Sequence, residues 1–132
     1  MSRAASLLVL AYGLMLVAVG AVGVFTARWE LYRLFGLDLG HVGDARSFAN
    51  QYGFLKGVEL GAGSFCLLLR GEIMAGGNAA KAFVILVAGG IFARAFAWAV
   101  HGRPSALFIA FLVLETVVLA VFLARPRSRR GA

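Results

Sequence analysis

Four apolar runs, each about as long as a bilayer is thick, constrain this chain more than any other feature. They cover about Ala5–Thr26, Phe48–Leu69, Ala79–Val100 and Ser105–Ala124. Each is close to the ~20 residues that a membrane helix needs. Backbone groups in lipid must be satisfied within their own segment, so runs of this kind become helices. The expected fold is all-α and integral to a membrane. Four transmembrane helices form an antiparallel bundle, as one domain over residues 1–132. Three of the runs carry ionisable residues: Lys56 and Glu59 in the second, Arg94 in the third and Glu115 in the fourth. A charge at mid-bilayer costs roughly 2.5–3.5 kcal/mol on insertion scales, and four unpaired charges about 10 kcal/mol or more. Two acids and two bases can neutralise one another inside a bundle.

Composition supports the same class. The chain is 61% hydrophobic and 14% charged, with mean hydropathy +0.88, where a soluble domain is nearer half apolar and a quarter charged. Thirteen basic residues against six acidic ones give a net charge of +7. These charges flank apolar runs and form no stripe, which argues against a nucleic-acid surface. Cys66 is the sole cysteine and reads as a small buried hydrophobe. His41 and His101 lie far apart with no second ligand beside either, so no metal site is expected. Arg3 precedes the first run, as it would in a signal peptide, but the apolar stretch is of span length and no clean cleavage site follows. It reads as a retained helix.

The connections differ in kind. Between the first and second spans, Trp29, Leu31, Tyr32, Leu34, Phe35 and Leu37 mix with Glu30 and Arg33. This predicts a short helix lying in the membrane interface, then a polar turn around Gly40–Asp44. Arg70–Asn78, with Gly71, Gly76 and Gly77, reads as a flexible turn. His101–Ser105 is too short for anything but antiparallel neighbours, with Ser105 as the N-cap of the fourth span. One side collects Arg3, Arg70, Lys81, Arg125, Arg127, Arg129 and Arg130; the other collects Arg28, Arg33, Arg46 and Arg103, diluted by Glu30, Asp38 and Asp44. The asymmetry, seven against four, predicts both termini in the cytoplasm.

At ~1.5 Å per residue, Arg94, Lys56, Glu115 and Glu59 fall roughly 9, 12, 15 and 16 Å from the exoplasmic ends of their spans. Tyr52, Lys56, Glu59, Gly63 and Cys66 share one helical face, and Gly90, Arg94, Trp98 and His101 share another. The expected site is a polar crevice holding Lys56, Glu59, Arg94 and Glu115, with Asn50, Gln51, Tyr52, Trp98 and His101 at its rim. Glu59–Arg94 and Lys56–Glu115 are the expected ion pairs. Gly57 with Gly61, Gly89–Gly90, and Gly13, Gly20 and Gly23 would let backbones approach closely. Two readings stay open: charges as struts that fix helix order, or charges as a site for a headgroup, a quinone-like ring or a proton. No Ser/His/Asp set, phosphate loop or redox pair is present, so no catalytic residue is assigned.

Three short motifs carry a resemblance. They are Asn50-Gln51-Tyr52-x-Phe54 at the second span, Gly89 to Arg94 in the third, and Gly102-x-Pro104-Ser105 before a span with a central Glu115. Together they resemble a bacterial family of small four-helix membrane proteins of unknown function, distantly similar to DoxX-like proteins, some of which accompany quinone-linked oxidoreductases. Gly53 stands where relatives often carry a basic residue, with Lys56 one turn on. The resemblance implies the fold and a bacterial inner (cytoplasmic) membrane as the location, and little about activity. The leading expectation is a non-catalytic accessory or assembly subunit that binds a lipophilic molecule in the crevice. The alternative is a membrane enzyme acting on a lipid, sterol-like or quinone substrate, and a third is a small proton-coupled exporter. No cofactor is demanded by the sequence, with lipid or quinone as the candidates. Membrane lipids, a protein partner or a second copy are the expected company.

Overall fold

A computed structural model describes residues 3–38, 40 and 45–125. Among these residues five helices follow one another: α1 (Arg3–Phe35), α2 (Ala45–Leu68), α3 (Arg70–Ala75), α4 (Asn78–His101) and α5 (Ala106–Leu123). No strand occurs among the described residues. Three helices are long and apolar enough to cross a membrane: α1 over Arg3–Leu34, α4 and α5. The second span expected from the sequence lies within α2, which falls outside that set. Lys56, Glu59 and the Asn50-Gln51-Tyr52 entry lower its mean hydropathy.

The separate interfacial helix does not exist. Its residues continue α1 without interruption to Phe35. No proline lies between Arg3 and Phe35, and the glycines of this stretch do not break the helix. The stop comes at Gly36, which takes φ +65°. Its N–H donates to Tyr32 O at 3.1 Å, the 5→1 bond of an αL ending, which favours glycine at that position, and the N–H of Leu37 donates to Leu31 O at 3.0 Å. At ~1.5 Å per residue α1 is about 50 Å long, against about 30 Å of hydrocarbon. The polar turn expected at Gly40–Asp44 falls, apart from Gly40, outside the described residues, as does the tail beyond Arg125.

Arg70–Asn78 is not one loose turn either. Residues Arg70–Ala75 form α3, with Ile73 and Met74 buried. Only Gly76 and Gly77, at φ +99° and +81°, make the reversal into α4. Ser105 sits at the N-cap position of α5, yet its hydroxyl makes no capping bond. Its carbonyl instead accepts from the N–H groups of Phe108 and Ile109 at 3.1 and 3.2 Å.

The chain divides into two compact units, Gly13–Phe65 and Met1–Tyr12 with Cys66–Ala132. In the second, α4 packs on both α3 and α5. Phe83 meets Phe122, ring centroids 4.7 Å apart, while Arg94, further along α4, meets Glu115, earlier in α5, so α4 and α5 run antiparallel. Tyr12 stands edge-on to Phe83 at 6.5 Å. Val9, Cys66, Ile73, Val87 and Val118 complete this buried set. At the end of α5, Arg125 lies over the Phe122 ring and donates to Phe122 O at 2.9 Å and Ile73 O at 3.3 Å.

In the Gly13–Phe65 unit, the later part of α1 and most of α2 pair antiparallel through glycine. A methyl group placed on Gly63 would lie 2.6 Å from Val17 N and 2.7 Å from Gly13 O; one on Gly20 would lie 2.8 Å from Lys56 O and Leu60 Cα. Backbones this close tolerate no side chain at either position. Gly57, Gly61 and Gly89, read from the sequence as packing residues, have no neighbour there within 4 Å.

Candidate functional site

Polar side chains converge in two groups, one in each unit. In the Gly13–Phe65 unit the group is built from α1 and α2. Thr26 and Glu30 are one turn apart on α1, and Tyr52, Lys56 and Glu59 follow at steps of four and three on α2, so each set shares a face. Glu30 is buried. Its Oε2 accepts from the Tyr52 hydroxyl at 2.7 Å and faces Lys56 Nζ at 3.7 Å. Its Oε1 accepts from Thr26 at 2.9 Å. Lys56 Nζ donates to Glu59 Oε2 at 3.0 Å and lies 5.2 Å from the Tyr52 ring centre. The stem of Lys56 reaches these partners across Gly23, where a methyl group would collide with its Cγ at 2.6 Å and with its Cδ. One ammonium thus serves two carboxylates, Glu30 with its side chain 8% exposed and Glu59 with its side chain 32% exposed.

The second group is built from α1, α4 and α5. Arg94 Nε donates to Glu115 Oε2 at 3.0 Å, and Nη2 lies 3.5 Å from Oε1. The Tyr12 hydroxyl lies 3.5 Å from that same Oε1. Glu115 is the enclosed partner, with its side chain 5% exposed against 27% for Arg94. Gly90 leaves room for the carboxylate, which would lie 3.5 Å from a methyl group there. The guanidinium faces the rings of Phe111 at 5.4 Å and Phe108 at 5.8 Å, contacts that favour a cation taken out of water.

These partners correct the pairing expected from the sequence. Lys56 pairs with Glu59 and Glu30, not with Glu115; Arg94 pairs with Glu115, not with Glu59. The reason is reach. Lys56 and Glu59 are neighbours on one helical face, and the four-residue link after α4 sets Arg94 beside Glu115. Of the expected rim, Tyr52 joins the first group directly. Asn50 and Gln51 are exposed on the first turns of α2, and Trp98 and His101 are exposed near the end of α4. None of these four makes a side-chain hydrogen bond to a member of either group among the described residues.

Three members were not singled out by sequence: Glu30, Thr26 and Tyr12. Glu30 had been assigned to an interfacial segment, where an acid is ordinarily solvated. The Thr26–Glu30 step was its signal, since it extends the α1 face that carries Gly23. With Glu30 counted, the two groups hold three acids and two bases. Among the described residues no three His, Cys, Asp or Glu side chains gather closely enough to hold a metal ion.

Fold and site together define a helical protein with apolar helices fit to cross a membrane and charges turned inward upon one another. Comparison with known protein families, with curated proteins and with solved structures returned no match.

Proposed function

We propose that the chain is a multi-pass protein of the bacterial cytoplasmic membrane, with both termini cytoplasmic, α2 as a fourth span, and a non-catalytic role. In this reading it is an accessory or assembly subunit that also holds a lipophilic molecule. The observation that carries the proposal is the inverted distribution of side chains. Glu30, Lys56 and Glu115 are buried, while Leu7, Phe25, Leu68, Ile85, Phe92 and Val113 face outward. In water such a surface is an aggregation liability, and in a bilayer it is the ordinary exterior. The charges have partners at ion-pair distance, the arrangement that makes them tolerable inside a membrane. They therefore act as struts: such pairs contribute little net stability, but removing one member is costly. The same proposal takes in kinship with the small four-helix, DoxX-like membrane proteins that the sequence motifs resemble. Extraction in mild detergent followed by native mass spectrometry tests it. Retention of a protein partner or a small lipophile is the expected result. A bare, partner-free monomer would overturn it.

The uneven charge count favours a second reading. A surplus carboxylate beside Lys56 suits a carrier that exchanges protons for lipophilic cations. Proton release on adding such cations to the purified protein, lost in Glu59→Gln, would establish it. No release would end it.

A further inference from the structure

A groove on the Gly13–Phe65 unit borders the first polar group through Thr26 but is lined by none of its charged side chains. It is a shallow, largely open groove of about 820 Å³ beside the last third of α1 and the start of α2. Its walls are mainly apolar, with Val24, Phe25, Trp29 and Ala49 among them. Phe25 is 90% exposed and Trp29 58%, one turn apart. Arg28 and Asn50 supply the polar end.

Position along α1 matches this division. At ~1.5 Å per residue, Phe25 lies roughly 33 Å from Arg3 and Arg28 roughly 4–5 Å further, against about 30 Å for the hydrocarbon layer. An upright α1 that starts at one boundary therefore places Phe25 at the edge of the acyl region and Arg28 among the headgroups. Trp29 is of the residue type enriched at that depth.

Charge selects the ligand. Glu30 lies behind the groove, reached through Thr26, which lines it. That carboxylate already receives Thr26 and Tyr52 and faces Lys56. Arg28, by contrast, is exposed and has no carboxylate partner among the described residues. The field at the open mouth is thus that of a guanidinium, whose planar donors match phosphate oxygens. We propose that this groove binds a phospholipid with an anionic headgroup. Its phosphate, with no headgroup cation to offset it as in phosphatidylcholine, rests on Arg28 and Asn50, and the upper part of an acyl chain lies along Val24, Phe25 and Trp29.

The inference rests on the membrane reading above, and one experiment separates the two. Trp98→Phe leaves Trp29 as the sole tryptophan. This protein is reconstituted into phosphatidylcholine vesicles carrying brominated phosphatidylglycerol or brominated phosphatidylcholine, and quenching of Trp29 gives relative lipid affinity. We expect phosphatidylglycerol to be favoured about fivefold at low salt, the effect of one basic residue at a membrane surface. Arg28→Gln should bring the ratio to about one, and Arg33→Gln, on the next turn of the helix, should leave it unchanged. Equal loss in both variants would assign the preference to diffuse surface charge and overturn the site. A preference erased by added inorganic phosphate would assign it to a free anion and also overturn the site. Protein that inserts but shows no preference overturns this inference alone. Protein that fails to enter vesicles at all overturns the membrane reading with it.

Discussion

Glu115→Leu and Arg94→Met should each destabilise the protein strongly, and their combination should not. Glu115 is nearly enclosed, with its side chain 5% exposed, while Arg94 keeps 27%. Removing one member of a buried pair costs about 3–5 kcal/mol, because the survivor is left charged and uncompensated. The asymmetry in exposure sets the order. Arg94→Met strands the enclosed carboxylate and should fall near the upper end of that range. Glu115→Leu strands a guanidinium that is partly open and lies against the Phe108 and Phe111 rings, so it should fall near about 3 kcal/mol. Loss of the Tyr12 contact adds little, since at 3.5 Å it is a long hydrogen bond. The double variant carries no charge at the site and should lie within about 1–2 kcal/mol of the parent, far from additive. Reversible unfolding in mixed micelles, followed by helical circular dichroism against denaturing detergent, measures all four proteins. Additive single effects, or a Glu115→Leu cost above that of Arg94→Met, would refute the pairing argument.

Gly63→Ala should destabilise by about 1–3 kcal/mol, because the new methyl group meets the α1 backbone at Val17 N and Gly13 O; Gly57→Ala and Gly61→Ala, with nothing nearby, should be neutral or stabilising by up to about 1 kcal/mol. Thermal melts of the three variants in one detergent decide this. Tyr52→Phe removes a 2.7 Å donor to the Glu30 carboxylate and should cost about 1.5–3 kcal/mol in the same melts; no loss would mean that Glu30 is solvated. With α2 as a fourth span, green fluorescent protein fused to the C-terminus should fluoresce and alkaline phosphatase fused there should be inactive. The reverse result would place the C-terminus outside and overturn the proposed topology.

Helical character and the apolar α1, α4 and α5 were legible because periodicity and length alone carry them. The extent of α1 was harder to read. Trp29–Phe35 is amphipathic, and amphipathicity suggests a change of environment, whereas the backbone responds to the first true stop signal, Gly36. A similar confusion hid α3: Gly71 within Arg70–Ala75 suggested a turn, yet the reversal needs only Gly76 and Gly77. Lys56, Glu59, Arg94 and Glu115 were legible as a set because charge in an apolar run is rare. Their partners depend on which helices are neighbours and how deeply each is set, and helical phase does not carry that information. Glycine shows the same limit. Gly57–x3–Gly61 has the spacing of a packing motif, but the close approach uses Gly20, Gly23 and Gly63.

The pairing of α1 with α2 also bears on how a helix of modest hydropathy would enter a membrane. Lys56 and Glu59 would each cost roughly 2.5–3.5 kcal/mol if α2 inserted alone. Their mutual ion pair offsets part of that, since it lies within one helix and forms before any tertiary contact. The remainder must come from α1, whose Glu30 faces Lys56, whose Gly20 lets the two backbones close and whose Gly23 leaves room for the Lys56 stem. On the four-span reading, α2 therefore enters as half of a hairpin and not as an independent segment. The expectation is concrete. In a membrane-insertion assay with glycosylation sites on both flanks, α2 presented alone should insert poorly, and α2 following α1 should insert efficiently. Glu30→Leu should reduce the second figure, because Lys56 then keeps only Glu59. Gly23→Leu should reduce it as well, by blocking the path of the Lys56 stem. Efficient insertion of isolated α2, or indifference to Glu30→Leu, would mean that the contacts of Glu30 form after insertion and stabilise the fold without guiding it.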